Sequence, residues 1–149
     1  MTKSKTILFP TDFSENAAYA FRYAQRLAHK LDAAVELIHV YHIPLHLKDS
    51  FAPTKTKQLD PVLREQLERS MHEFAEQNAR ENVLVTFKLR VGIPTQEILE
   101  EANELDVVMI VMGTMGVSGL QRLLMGSVAE QIVRLSIQPV LTVRSWGSN

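Results

Sequence analysis

Cysteine is absent from this 149-residue chain, which excludes disulfides, thiolate catalysis and cysteine-bound zinc. A basic excess is absent too: sixteen Lys and Arg face seventeen Asp and Glu, for a formal net charge of −1. Without surplus cations to displace counterions, binding of nucleic acid through bulk electrostatics is disfavoured. No apolar run approaches the roughly 18 residues of a membrane span. Met1-Thr-Lys-Ser-Lys-Thr6 lacks the apolar core of a secretory signal. The expectation is a soluble cytoplasmic protein with neither nucleic acid nor membrane as partner. Hydrophobic residues make up 46% of the chain, enough for a core of its own, so residues 1–149 read as a single domain.

What is present is strand and helix in alternation. Thr6-Ile-Leu-Phe9 is a short apolar run, and Ser14 behind it is a good helix N-cap. Ala17, Ala20, Phe21, Ala24, Leu27, Ala28 and Leu31 then follow helical spacing. Ala34–Tyr41 alternates as a second strand. From 42 to 60 the pattern disappears into a long variable loop. Asp60-Pro61 marks an N-cap and first-turn proline, and the helix behind it is predicted to reach about Glu81. Leu84–Val91 alternates like a half-exposed strand near an edge. Gly92-Ile-Pro94 breaks it, and Thr95 is read as the cap of a helix with Ile98, Leu99, Ala102 and Leu105 inward. Val107–Met112 carries no polar residue, as a central strand covered on both faces would. Ser127 opens a last helix with Val128, Ala129, Ile132 and Leu135 on one face. Pro139–Val143 is a short strand suited to an edge, and residues 144–149 form a polar tail.

This alternation predicts an α/β fold: one doubly wound, five-stranded parallel sheet with helices on both faces. Right-handed crossovers with the most apolar strands central give the order 3-2-1-4-5. That order reverses between strands one and four, where ligands of such sheets sit outside the strands' carboxyl ends. Two loops meet there, Pro10-Thr-Asp-Phe-Ser14 and the glycine-rich run from Gly113.

The glycine run has no lysine between 107 and 130, so it is not a P-loop. It also lacks G-x-G-x-x-G, and Gly116-Val-Ser-Gly119 does not make a nucleophile elbow. What remains is Gly113-x2-Gly116-x9-Gly126-Ser127. Gly113 and Gly116 can take positive φ and let a ligand approach bare backbone, and Gly126 does so just before a helix whose first N–H groups are unpaired. Phosphate oxygens would accept from the N–H groups near Ser127 and Val128. Ser127-x-x-Glu130 also has capping-box spacing, so Ser127 has a purely structural reading as well.

The spacing Gly113-x2-Gly116-x9-Gly126-Ser127 resembles the universal stress protein family, in its nucleotide-binding branch. Thr6-Ile-Leu-Phe-Pro-Thr-Asp-Phe-Ser14, Gly92-Ile-Pro94 and Gln138-Pro-Val-Leu-Thr-Val143 are similar to that family's first strand and acidic turn, its Gly-x-Pro turn and its last strand. Residues 42–60 match poorly. The resemblance implies a Rossmann-like fold of the adenine nucleotide alpha hydrolase type. It also implies an ATP or other adenine-nucleotide ligand, with or without Mg, and a homodimer through Val140, Leu141, Thr142 and Val143. Asp12 would bond the ribose or the adenine edge, with Pro10, Thr11 and Met112 nearby.

Magnitudes bear on the site's shape. Each hydrogen bond to a charged phosphate contributes about 1.5–3 kcal/mol, and three or four give roughly 6–10 kcal/mol gross against an association cost of about 4–15 kcal/mol. Micromolar binding needs about 8 kcal/mol net, so an apolar slot for the base is required, and Val40 at the end of strand two is placed to line it. The leading expectation is a non-catalytic nucleotide-binding sensor or regulator. A slow ATP hydrolase or phosphoryl-transfer enzyme is the alternative, against which the missing lysine and base count. An interaction module without nucleotide is a third. Neither catalytic residue nor metal ligand is expected. His39 and His42 lie on opposite strand faces, and His46 has no carboxylate at ligand spacing.

Overall fold

The computed structural model describes residues 3–43, 59–115 and 125–145. Gly116, Arg122 and the rest of the glycine loop to 124 lie outside the described residues, as do His46 with most of the segment 42–60, and Trp146 with the end of the tail. The element order is β1 (Lys5–Pro10), α1 (Glu15–Leu31), β2 (Ala33–His42), α2 (Pro61–Gln77), β3 (Val85–Gly92), α3 (Pro94–Leu105), β4 (Met109–Gly113), α4 (Ser127–Leu135) and β5 (Val140–Val143). All strand pairs are parallel and the sheet runs β3-β2-β1-β4-β5. The predicted α/β class and strand order are what the chain adopts.

Strand alternation sends side chains to two separate cores. Ile7, Phe9, Val35, Leu37 and Val111 face α1 and α2, where Phe21, Met71 and Phe74 meet them. Leu8, Ile38, Ile110 and Met112 face α3 and α4, against Ile98, Ala102, Ala129 and Ile132. Ala17, Ala20, Ala24 and Ala28 make the buried stripe of α1, and their small side chains let the helix lie close on the sheet. Each fully buried large side chain stabilises by about 1.5–3 kcal/mol. Ile110 and Val111 are both at 0% exposure, so β4 is covered on both faces as its composition requires.

Several boundaries differ from the sequence reading, each for a physical reason. β4 begins at Met109; Val107 and Val108 lead into it, with Val108 N–H donating to the Thr6 carbonyl at 2.9 Å. α2 stops at Gln77, short of Glu81, because buried Gln25 of α1 captures the chain that follows. Its amide nitrogen donates to the Asn78 carbonyl at 2.9 Å, and its oxygen accepts from the N–H groups of Arg80 and Glu81. Thr95 is not a cap: Ile93 holds that position, Pro94 is the first helical residue, and the Thr95 hydroxyl donates to Gln131 Oε1 at 2.7 Å. Leu105 and Leu135, expected inward, are 37% and 58% exposed because each ends its helix. Ser14 and Asp60 cap as predicted, accepting from Ala17 N–H and from Val62 and Leu63 N–H.

Candidate functional site at the switch point

The cleft is assembled where β1 and β4 diverge. Beyond Pro10, Thr11 N–H donates to the Ile38 carbonyl at 2.9 Å, extending the ladder to β2 by one bond. The chain then turns sharply. Thr11 Oγ1 accepts from Phe13 N–H and Asp12 Oδ1 accepts from Ser14 N–H, both at 3.0 Å. One Asp12 oxygen is thus committed to the turn, and the other takes no bond from a described residue. Phe13 sits at φ 66°, a left-handed conformation costly for a bulky residue.

Across the cleft, β4 ends at Gly113, whose register partner is Val143. The reason for glycine here differs from the expected positive φ. A Cβ at 113 would lie 3.3 Å from the Asn16 carbonyl oxygen, so the first turn of α1 packs against bare backbone. Gly126 has φ −63° and ψ 157°, a conformation open to any residue, so it too departs from the expected left-handed geometry. It is the N-cap of α4, and its N–H donates to the Thr114 carbonyl at 2.6 Å.

The capping-box reading of Ser127 is not what the chain adopts. α4 has no side-chain cap, Ser127 is its first residue, and Glu130 is engaged with Arg134 at 2.9 Å. The N–H groups at the start of α4 therefore carry the unpaired partial positive charge of a helix N-terminus. The start of α3 also has no side-chain cap, and it brings Pro94 and Ile98 to the same wall.

These elements enclose a cavity of about 230 Å³. Pro10 of β1 with Thr11 and Asp12 in the turn after it, Val40 from β2, Met112 and Gly113 from β4, and Gly126, Ser127 and Val128 at the start of α4 all line it. Gly116, the remaining predicted site residue, lies outside the described residues. Ala17, Ile38, His39, Pro94, Ile98 and Ala129 also line the cavity and were not foreseen, as do Thr114 and Met115, which fall in the foreseen switch-point loop without having been named as site residues. Pro94 and Ile98 were findable. The β3–α3 connection also leaves a strand's carboxyl end, so it belongs on the ligand side of the sheet. Ile38 is fully buried and Ile98 nearly so, which makes one end of the cleft apolar. Asp12 is the one carboxylate along the described walls.

His39 stands next to the turn. Its Nδ1 lies 2.8 Å from the Thr11 carbonyl oxygen, so Nδ1 carries a proton and donates. Burial pushes its pKa below the ordinary 6.5, and the bond to the Thr11 carbonyl and the Asp12 charge oppose that only in part. The ring is therefore neutral near pH 7.

Fold and cleft together define a doubly wound α/β domain with a switch-point site, apolar at one end and suited to an anion at the other. The chain belongs to the universal stress protein family, whose model matches residues 3–144. It is 31% identical over 140 residues to universal stress protein MJ0531 of Methanocaldococcus jannaschii, covering 94% of this chain and 82% of that protein. It is also 31% identical over 157 residues to universal stress protein MJ0577 of the same organism, covering 97% of each. The solved structure of MJ0577 superposes with a TM-score of 0.78 over 99% of this chain and 100% of that one. The universal stress protein of Archaeoglobus fulgidus, solved in complex with dAMP, has the same fold, with a TM-score of 0.70 at 18% identity over 96% of this chain and all of that one.

Proposed function

We propose that this chain binds an adenine nucleotide, ATP or AMP, at the switch-point cleft and serves as a non-catalytic sensor or regulator in a stress response. The observation that carries this reading is the convergence of three groups on one cavity: Asp12, the apolar wall of Val40 and Met112, and the open N-terminus of α4 at Ser127 and Val128. Asp12 would accept from the ribose hydroxyls through its uncommitted oxygen, the base would occupy the apolar end, and phosphate would lie on the N–H groups of α4. The dAMP bound by the Archaeoglobus fulgidus protein of the same fold supports the ligand class. A divalent ion such as Mg would be held mainly by phosphate oxygens, since Asp12 is the one carboxylate along the described walls. The chain would act in the cytoplasm, and ligand-dependent ordering near Gly113 would be the signal, provided a partner reads the two states differently.

Calorimetric titration of ATP tests the binding, with Asp12→Ala and Gly113→Val as comparisons. Saturable heat from the wild type and its loss in both variants is expected. No heat from the wild type, or equal heats from all three, would overturn the reading. Sustained phosphate release above that of Asp12→Ala would replace the non-catalytic role with a hydrolase.

Two copies would pair through the open edge of β5. Leu141 in that strand is 39% exposed, and Ile137 just before it is 86% exposed, an apolar edge of the sort natural sheets usually cover. A two-fold dimer by light scattering is expected, and a monomer across micromolar concentrations would overturn it.

A further inference from the structure

We propose that His39, which also lines the cavity, is a positioning residue of the cleft, holding the Thr11-Asp12-Phe13 turn through one edge and one face of its ring. This rests on the nucleotide reading above. His39 alternates with Ile38 and Val40 along β2, so its side chain shares the face of Val35 and Leu37, on the α1 and α2 side of the sheet. There its Nδ1–H donates to the Thr11 carbonyl at 2.8 Å. That carbonyl and the Asp12 N–H belong to one peptide plane, so the bond fixes the orientation in which the chain enters Asp12.

The ring face does the rest. His39 and Phe13 stack with centroids 4.4 Å apart at 34°. Phe13 is the residue held at φ 66°, and such a conformation persists only where the surroundings over-determine it. His39 covers one part of the Phe13 ring and Phe74 another, its centroid 6.0 Å away. The imidazole therefore grips the residues on both sides of Asp12, while Asp12 faces the cavity. A half-buried ring with its Nδ1 proton already committed is a fixed support for the turn.

The experiment is calorimetric titration of ATP into the wild type, His39→Phe, His39→Asn and Val35→Ala. Phenylalanine keeps a ring against Phe13 but removes the donor. Asparagine places an amide N–H where Nδ1 was and removes the ring. Val35 lies in the same core at the far end of β2, so Val35→Ala lowers stability without touching the turn. His39→Phe is expected to weaken ATP about tenfold through loss of the Nδ1–H donor, with His39→Asn recovering part of that loss and the missing ring accounting for the remainder. Val35→Ala should bind as the wild type does while unfolding at lower urea. Wild-type affinity in His39→Phe, or an equal loss in Val35→Ala, would overturn the positioning role and leave the nucleotide reading standing. Absence of binding by the wild type would overturn both. If His39→Phe does not fold, His39→Ala takes its place with the same expectation.

Discussion

At the scale of the residue, Ser127 separates a structural role from a ligand role. A serine that capped α4 would cost about 1 kcal/mol on truncation to alanine. Here Gly126 is the cap, no side chain bonds the first turn, and Ser127 is exposed. Ser127→Ala is therefore expected to change stability by no more than about 0.5 kcal/mol in urea unfolding, as for ordinary surface positions, while weakening ATP. A loss near 1 kcal/mol with unchanged affinity would return Ser127 to a capping role. Which residues line the cleft was largely legible, because glycine spacing and the switch-point rule both name positions along the chain. Their reasons were less legible. Gly113 is glycine because Asn16 lies against it, and Asn16 is 97 positions earlier in the sequence, beyond any local pattern.

At the scale of the element, Gln25 shows why helix existence was easier to read than helix length. The period of α2 is carried by Leu63, Leu67, Met71, Phe74 and Ala75, all visible in the sequence. Its end is set by a side chain more than 50 residues away, which bonds Asn78, Arg80 and Glu81. Gln25 is 1% exposed and also donates to the Phe21 carbonyl. Gln25→Ala would leave the N–H groups of Arg80 and Glu81 and the carbonyl of Asn78 without this partner. A buried orphan costs about 1–3 kcal/mol, so a loss of roughly 2–3 kcal/mol is expected, with amide exchange accelerated at 78–81. A loss below 0.5 kcal/mol would mean that solvent satisfies those groups instead. ATP affinity should stay unchanged, since none of these residues lines the cleft.

At the scale of the molecule, two titratable groups on opposite faces of the sheet, buried Glu36 and half-buried His39, give stability opposing dependences on pH. On the α3 side, Glu36 and Glu101 are 7% and 3% exposed. Arg90 binds Glu101 Oε1 at 2.7 Å and also reaches Glu104 at 2.9 Å. Burial first, then the hydrogen bond to Glu101 and its charge, push Glu36 from the ordinary 4.5 up to about 8. Glu101 moves down: burial opposes this but is outweighed by the Glu36 and Arg90 hydrogen bonds. The pair thus holds one proton and one negative charge. A raised folded pKa makes the Glu36 contribution complete below about 4.5 and lost as pH climbs through about 8. His39, on the α1 and α2 side, has a lowered folded pKa, so its contribution is present above 6.5 and lost as pH falls below it. The two slopes oppose each other below about 6.5, and above it the Glu36 slope acts alone up to about 8.

Glu36→Gln removes one of them. Glutamine keeps a neutral donor toward Glu101 at every pH, so the variant should gain stability over the wild type as pH rises from about 4.5 to about 8, and gain no more above that. Below about 4.5, where Glu36 is protonated in the folded and the unfolded chain alike, the two should unfold together. Urea midpoints below about pH 4.5, at pH 7 and at pH 9 check this, and parallel curves for the two proteins would mean that Glu36 is ionised in the fold.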